Sequence, residues 1–174
     1  MSGTARAERA GAVVRDWVAS TMGWGPERAA VYPAQPSTPG FDLVAIVQNG
    51  VRSGGELYVM TDGERVLPAG AANLGTVLAE EGVADDPEAL PAALVAELFF
   101  RMGQPGGGRP ILAAYDPALP EDARSAFAPP HAERAGDGVR IAFWSERAPG
   151  GPLERWTLRL EPGGELTQAA EPAG

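Results

Sequence analysis

The chain has 174 residues, 14 basic residues that are all Arg, 23 Asp plus Glu, and a formal net charge of -9; it has no Lys, no Cys and one His. Without Lys there is no Schiff base and no phosphate-loop lysine. Without Cys there is no disulfide, thiol nucleophile or Cys-ligated metal, and a single His excludes a multi-histidine metal centre.

The length suits one domain, expected here over 1–168. Ala supplies 31 of the apolar residues, while Leu, Ile, Val and Phe total only 35, so the expected core is modest and its connections long. The use of Arg alone, with abundant Ala, Gly and Pro, has the look of a high-GC bacterial genome. The sequence from Met1 to Arg6 lacks the apolar stretch of a secretory signal, and no apolar run is long enough to span a membrane. The expected location is therefore the cytoplasm. The acidic balance argues against nucleic acid and anionic membranes, which reward a dense basic patch.

In chain order, residues 4–22 predict an amphipathic helix, with Ala10, Val14, Trp17 and Val18 on one face. Thr4 suits its N-cap and Gly23 its C-terminal stop, and its Arg and Asp residues are left to solvent. Residues 24–40 read as a Pro-rich connector. Pro33, Pro36 and Pro39 recur every third residue, the spacing of a polyproline II tether between helix and sheet, or of a ligand for an aromatic groove. A β-meander follows over 41–67. Leu43 to Val47 is apolar throughout, Asn49-Gly50 is a two-residue hairpin signal, Gly54-Gly55 suggests a bulge, Glu56 to Met60 is a strand, and Asp62-Gly63 turns the chain into Glu64–Leu67.

A short helix is expected over 73–81, capped by Asn73 and stopped by Gly82. Asp85 and Glu88 have capping-box spacing, but Pro91 disfavours a helix running through it, so the main helix is placed near 91–102. That helix carries the densest apolar set: Leu94, Val95, Leu98, Phe99 and Met102. Ile111–Tyr115 predicts a strand, and 116–138 a long loop with room for a short helix at 121–127. Val139–Ser145 and Arg155–Leu160 alternate as strands, Glu165–Gln168 is the last, and 169–174 reads as a disordered tail. The resulting order, α-βββ-αα-β-βββ without a βαβ repeat, predicts an α+β fold. It is a mostly antiparallel sheet covered by an N-terminal helix and a central helix pair.

Few residues can carry chemistry. His131 lies in the long loop with Ser125, Asp122 and Asp137 nearby, a formally possible triad without a nucleophile elbow. An exposed loop histidine is the favoured reading, so no catalytic residue is assigned. Gly106-Gly107-Gly108-Arg109 stands between a helix and a strand, the reverse of a phosphate cradle, and reads as a connector. Glu80-Glu81, Asp85-Asp86 and Glu121-Asp122 read as solvated or helix-capping pairs. No metal or cofactor is expected.

Trp17 and Trp156 point to the core. Trp144 alternates opposite Phe143, so it is exposed if that sheet face is wet. With Arg140, Arg155 and Arg159 on neighbouring polar positions, it has the composition of a binding anchor. The leading expectation is a non-enzymatic protein-binding module, comparable in size and charge with small acidic chaperones, adaptors and immunity proteins. Its partner would be another protein or a second copy of the chain. The alternative is a small-molecule-binding protein or small enzyme with a pocket under the 116–138 loop.

Overall fold

A computed structural model describes residues 3–50, 55–104 and 108–173. The chain divides into two compact units, Met1–Ala69 and Gly70–Gly174. Each contains an antiparallel sheet and helices, so the class is α+β, with two sheets where one is expected from the sequence. Among the described residues, no helix is long and apolar enough to cross a membrane.

In the first unit, helix α1 (Gly3–Trp17) continues into a π-helical turn at Val18–Met22, and Gly23 ends it at φ 65°, a left-handed value that favours glycine. The sheet runs in order through β1 (Ala29–Pro33), β2 (Asp42–Gln48), β3 (Glu56–Thr61) and β4 (Val66–Pro68). The predicted apolar stripe is used. Ala10, Val14 and Val18 pack with Ala29, Val44, Ile46 and Val59, with Trp17 and Trp24 at the margin. Leu43 through Ile46 are buried on both faces of β2, as its unbroken apolar run requires.

Three local expectations are corrected. The stretch 24–40 is not a tether, because it holds strand β1, with Tyr32 opposite Ala45. Pro33 is tolerated because its nitrogen points away from β2, in phase with the Ala34 N–H bond to Leu43 O. The prolines beyond it sit in a packed loop between adjacent strands, where Ser37 Oγ accepts the Leu43 N–H at 3.0 Å. Arg6, expected in solvent, binds this loop to α1 through Asp42 at 2.9 Å and the Thr38 carbonyl at 3.1 Å. Asn49-Gly50 does not form a two-residue hairpin, since the β2–β3 ladder ends at Val47 opposite Glu56. Asn49 instead donates its side-chain amide to the Pro26 and Glu27 carbonyls. Gly54 of the expected bulge lies outside the described residues.

The turn expected at Asp62-Gly63 is found but spans 62–65, between Thr61 and Val66, so the return strand is Val66–Pro68 and not Glu64–Leu67. Burial pushes the Asp62 carboxyl up, but the Arg65 and Glu64 amides and the Arg65 guanidinium outweigh this and hold it below its ordinary value.

The second unit begins with α2 (Ala71–Glu80) and α3 (Ala92–Leu98), the latter extended by a π-helical turn at Phe99–Gly103. Then come β5 (Arg109–Ile111), α4 (Glu121–Arg124), β6 (His131–Ala135), β7 (Gly138–Glu146), β8 (Leu153–Leu160) and β9 (Leu166–Pro172). The sheet order is β5-β7-β8-β9. Strand β6 pairs with the first half of β7 on the edge where β5 pairs with its end. On the inner face Val139, Ile141 and Phe143 of β7 and Trp156, Leu158 and Leu160 of β8 are buried. Phe99 of the π-turn sits 5.0 Å from the Trp156 ring and 5.6 Å from Phe143. Trp156 Nε1 donates to the buried Ser145 Oγ at 3.0 Å, which satisfies both polar groups.

The second unit corrects four boundaries. Helix α2 starts after Gly70 and not at an Asn73 cap. The strand predicted at 111–115 lies at 109–111, where β7 offers a partner. The 116–138 loop contains α4 and β6. The expected 169–174 tail is strand β9 as far as Pro172, held because β8 presents a complete free edge to it. Low intrinsic β-propensity is overridden by that partner.

Two helical glycines give opposite predictions. A Cβ on Gly75 of α2 would lie 2.1 Å from the Gly164 carbonyl oxygen, an impossible contact with backbone. A Cβ on Gly11 of α1 would meet only the flexible Arg15 side chain, at 3.3 Å. Gly11→Ala should therefore stabilise the chain by about 0.5–1 kcal/mol. Gly75→Ala should destabilise it by about 1–3 kcal/mol despite its better helix propensity. Urea unfolding of the two variants beside the wild type checks both signs.

Candidate functional site

Residues directly opposite in an antiparallel ladder project on the same side, and successive residues on opposite sides. The register therefore builds the outer face of the second sheet in rows across the strands. One row is Glu133, Arg140, Arg159 and Thr167; the next is His131, Ala142, Thr157 and Ala169; the third is Trp144, Arg155 and Glu171. His131, Trp144, Arg140, Arg155 and Arg159 thus all belong to one face. His131 reaches it because β6, which the sequence reading leaves inside a loop, pairs with β7.

Trp144 is not the exposed anchor expected. It is 5% exposed and buried with Ile111, Leu119 and Ala173. Phe127 packs edge-on against its ring at 5.7 Å. The segment 116–127 folds over this end of the face because Leu119 and Phe127 give it an apolar underside. Two hollows open beside it. One, of about 200 Å³, is lined by Ala126, Ala128, His131, Ala142, Arg155 and Thr157. The other, of about 370 Å³, is lined by Pro120, Asp122, Ala123, Trp144, Leu153 and Arg155.

The face is charged but neutralised. Arg140 donates through Nε to Glu133 at 2.8 Å, and this contact holds the Glu133 carboxyl below its ordinary value. Arg155 pairs with Glu171 at 3.1 Å. Arg159 pairs with Glu161, with Asp137 at 3.8 Å. No triad is assembled. His131 Nδ1 meets the Pro129 carbonyl at 3.0 Å, so Nδ1 carries the proton there. Ser125 donates to the Asp122 carbonyl, Asp122 accepts the Ala123 N–H, and Asp137 lies beside Arg159. Glu121 and Asp122 occupy the first turn of α4, as their charge suits. Among the described residues, no group of three or more His, Asp or Glu could hold a metal ion.

Gly106 and Gly107 lie outside the described residues. Arg109, which ends their connector, is engaged by carboxylates. Its two terminal nitrogens hold Asp116 at 2.6 and 2.7 Å, and its Nε holds Glu146 at 3.1 Å. Glu146 is itself buried and accepts the Gly150 N–H at 2.6 Å. This clamp fixes the start of the segment that covers Trp144, because Asp116 also accepts the Ala118 N–H.

The sequence reading misses the trough between the charged rows. Its floor is Ala142, Thr157 and Ala169. The alternation of β7 and β8 contains the first two, but only the register aligns them.

The Arg109 guanidinium holds the Asp116 carboxyl below its ordinary 3.8, against the opposing effect of burial. A depressed carboxylate stabilises the fold above its unfolded pKa and loses that contribution as pH falls through its folded pKa. Asp116→Asn should therefore cost about 1 kcal/mol at pH 7, the upper end for a partly exposed pair. The gap between variant and wild type should shrink as pH is taken below 3.8. Denaturant unfolding at neutral and acid pH measures it.

Comparison with protein families, with curated proteins and with solved structures finds no match.

Proposed function

We propose that the chain is a non-enzymatic protein-binding module that presents the outer face of its second sheet to a protein partner. The trough carries this reading: a floor of Ala142, Thr157 and Ala169 between rows of charge-paired side chains. Small residues leave room for a partner's side chains, and the flanking pairs offer both signs of charge at the rim. Neutralised Arg residues favour a protein surface over a polyanion, which binds through unpaired cations. The net charge of -9 steers a basic partner toward the chain at low salt. Against a substrate pocket under 116–138, Leu119, Phe127, Ile111 and Trp144 pack together beneath the segment, and the two hollows lie at its margins.

Thr157 is exposed at the centre of the floor, so Thr157→Gln fills the trough without changing charge. A partner captured from lysate and identified should bind the variant at least about tenfold more weakly, equivalent to about 1.4 kcal/mol. Melting temperature should be unchanged, as for other exposed substitutions. Calorimetric titration of both proteins measures the difference. Equal affinity would count against this face.

A further inference from the structure

The sheet edges differ in how well they resist a further strand. In β1, Ala34 N–H bonds Leu43 O and Asn49 N–H bonds Arg28 O, which fixes the phase. Ala29, Val31 and Pro33 then face outward; Pro33 has no N–H, and Ala29 N–H is taken by Gly25 O at 3.1 Å. Strand β4 is three residues ending in Pro68, and β5 is three residues around Pro110. Strand β6 carries Glu133 and Arg134 at its middle.

Strand β9 has none of these protections over Thr167–Ala170. The bonds Glu161 N–H to Glu165 O and Ala173 N–H to Leu153 O fix its phase. Thr167, Ala169 and Glu171 therefore exchange hydrogen bonds with β8, and Leu166, Gln168 and Ala170 turn their N–H and C=O groups to the other side. Pro172 turns only its carbonyl there. Thr167 through Ala170 are uncharged and exposed, and no strand pairs beyond them among the described residues.

We propose that β9 pairs antiparallel with β9 of a second copy of this chain, with Ala169 opposite the partner's Ala169. The outward phase allows two registers that make equal use of the free groups. Gln168 stands opposite either the partner's Gln168 or the partner's Ala170. The first sets Glu171 against the partner's Glu165, and like charges directly opposed destabilise a sheet. The second sets Glu171 against the partner's Thr167 and is selected. It puts the two-fold axis through Ala169, in a pair without mutual hydrogen bonds, where Cα atoms approach to about 4.5 Å and a methyl group fits. The two five-stranded sheets then become continuous. The edge and the trough share Ala169, but the pairing uses outward backbone groups of Leu166, Gln168 and Ala170, whereas Thr157→Gln alters a side chain on β8. That variant leaves the paired backbone intact, so either proposal can fail alone.

The full chain is examined by sedimentation over a wide concentration range. A dimer is expected that tightens as salt screens the repulsion between two chains of charge -9. Ala170→Pro removes an outward N–H and leaves the β8 ladder whole. It should weaken the dimer at least tenfold with the circular dichroism spectrum retained. Because the chain has no Cys, Ala169→Cys reports the register directly and should form an inter-chain disulfide on mild oxidation, whereas Thr167→Cys should not. A chain that is monomeric at every concentration overturns the proposal. So does a Gln168→Cys variant that crosslinks in place of Ala169→Cys. A monomer that loses a different bound protein on Ala170→Pro also overturns it, because the edge then serves another chain.

Discussion

Strand β7 is the element on which the second unit depends. It is paired along its whole length by β8 and, on its other edge, by β6 and β5 in succession. A strand hydrogen-bonded on both edges and buried along its inner face has little freedom to slip. A one-residue shift would move Val139, Ile141 and Phe143 out of the core and bring Arg140 in. Its inner side chains receive Phe99 and Phe100 from the π-turn. Its outer Trp144 receives Phe127. The trough, the charged rows and the clamp around Glu146 all take their spacing from this strand.

Arginine does most of the polar joining. Arg6 binds the proline loop to α1, Arg9 donates to the Gly63 carbonyl, Arg134 to the Ala84 carbonyl, and Arg109 grips two carboxylates. The planar guanidinium suits this role, because its donors are fixed in a fork that matches a carboxylate or two nearby acceptors. The Arg usage that reads as genomic composition is thus also structural. On the outer face of the second sheet Arg140, Arg155 and Arg159 pair in the same way with Glu133, Glu171 and Glu161, so its charges are matched.

Much of the fold was legible locally. The stripe Ala10–Val14–Val18, the apolar run of β2, the Asp62-Gly63 turn and the Leu94–Met102 helix each carry their own periodicity or turn chemistry. What was not legible depends on a distant partner. Strand β1 and the proline loop were obscured because Pro signals irregular backbone unless its missing N–H falls on the outer side of a strand. Strand β9, with its Ala and Gln, was obscured because its only reason to be extended is the edge of β8. Likewise, the alternation placed Trp144 opposite Phe143, but its burial depends on a segment ending at Phe127.

The sequence by itself determined the class, the inward residues of the principal elements and the absence of thiol, lysine and multi-histidine chemistry, because side-chain type and local period suffice for these. The tertiary structure alone decided the division into two sheets, the addition of His131 to the face that carries Arg140, Arg155 and Arg159, the covering of Trp144 and the trough between the charged rows. Each of these is a matter of register or of long-range packing. Register is fixed by hydrogen bonds between strands far apart in the chain, which no local pattern of residues encodes.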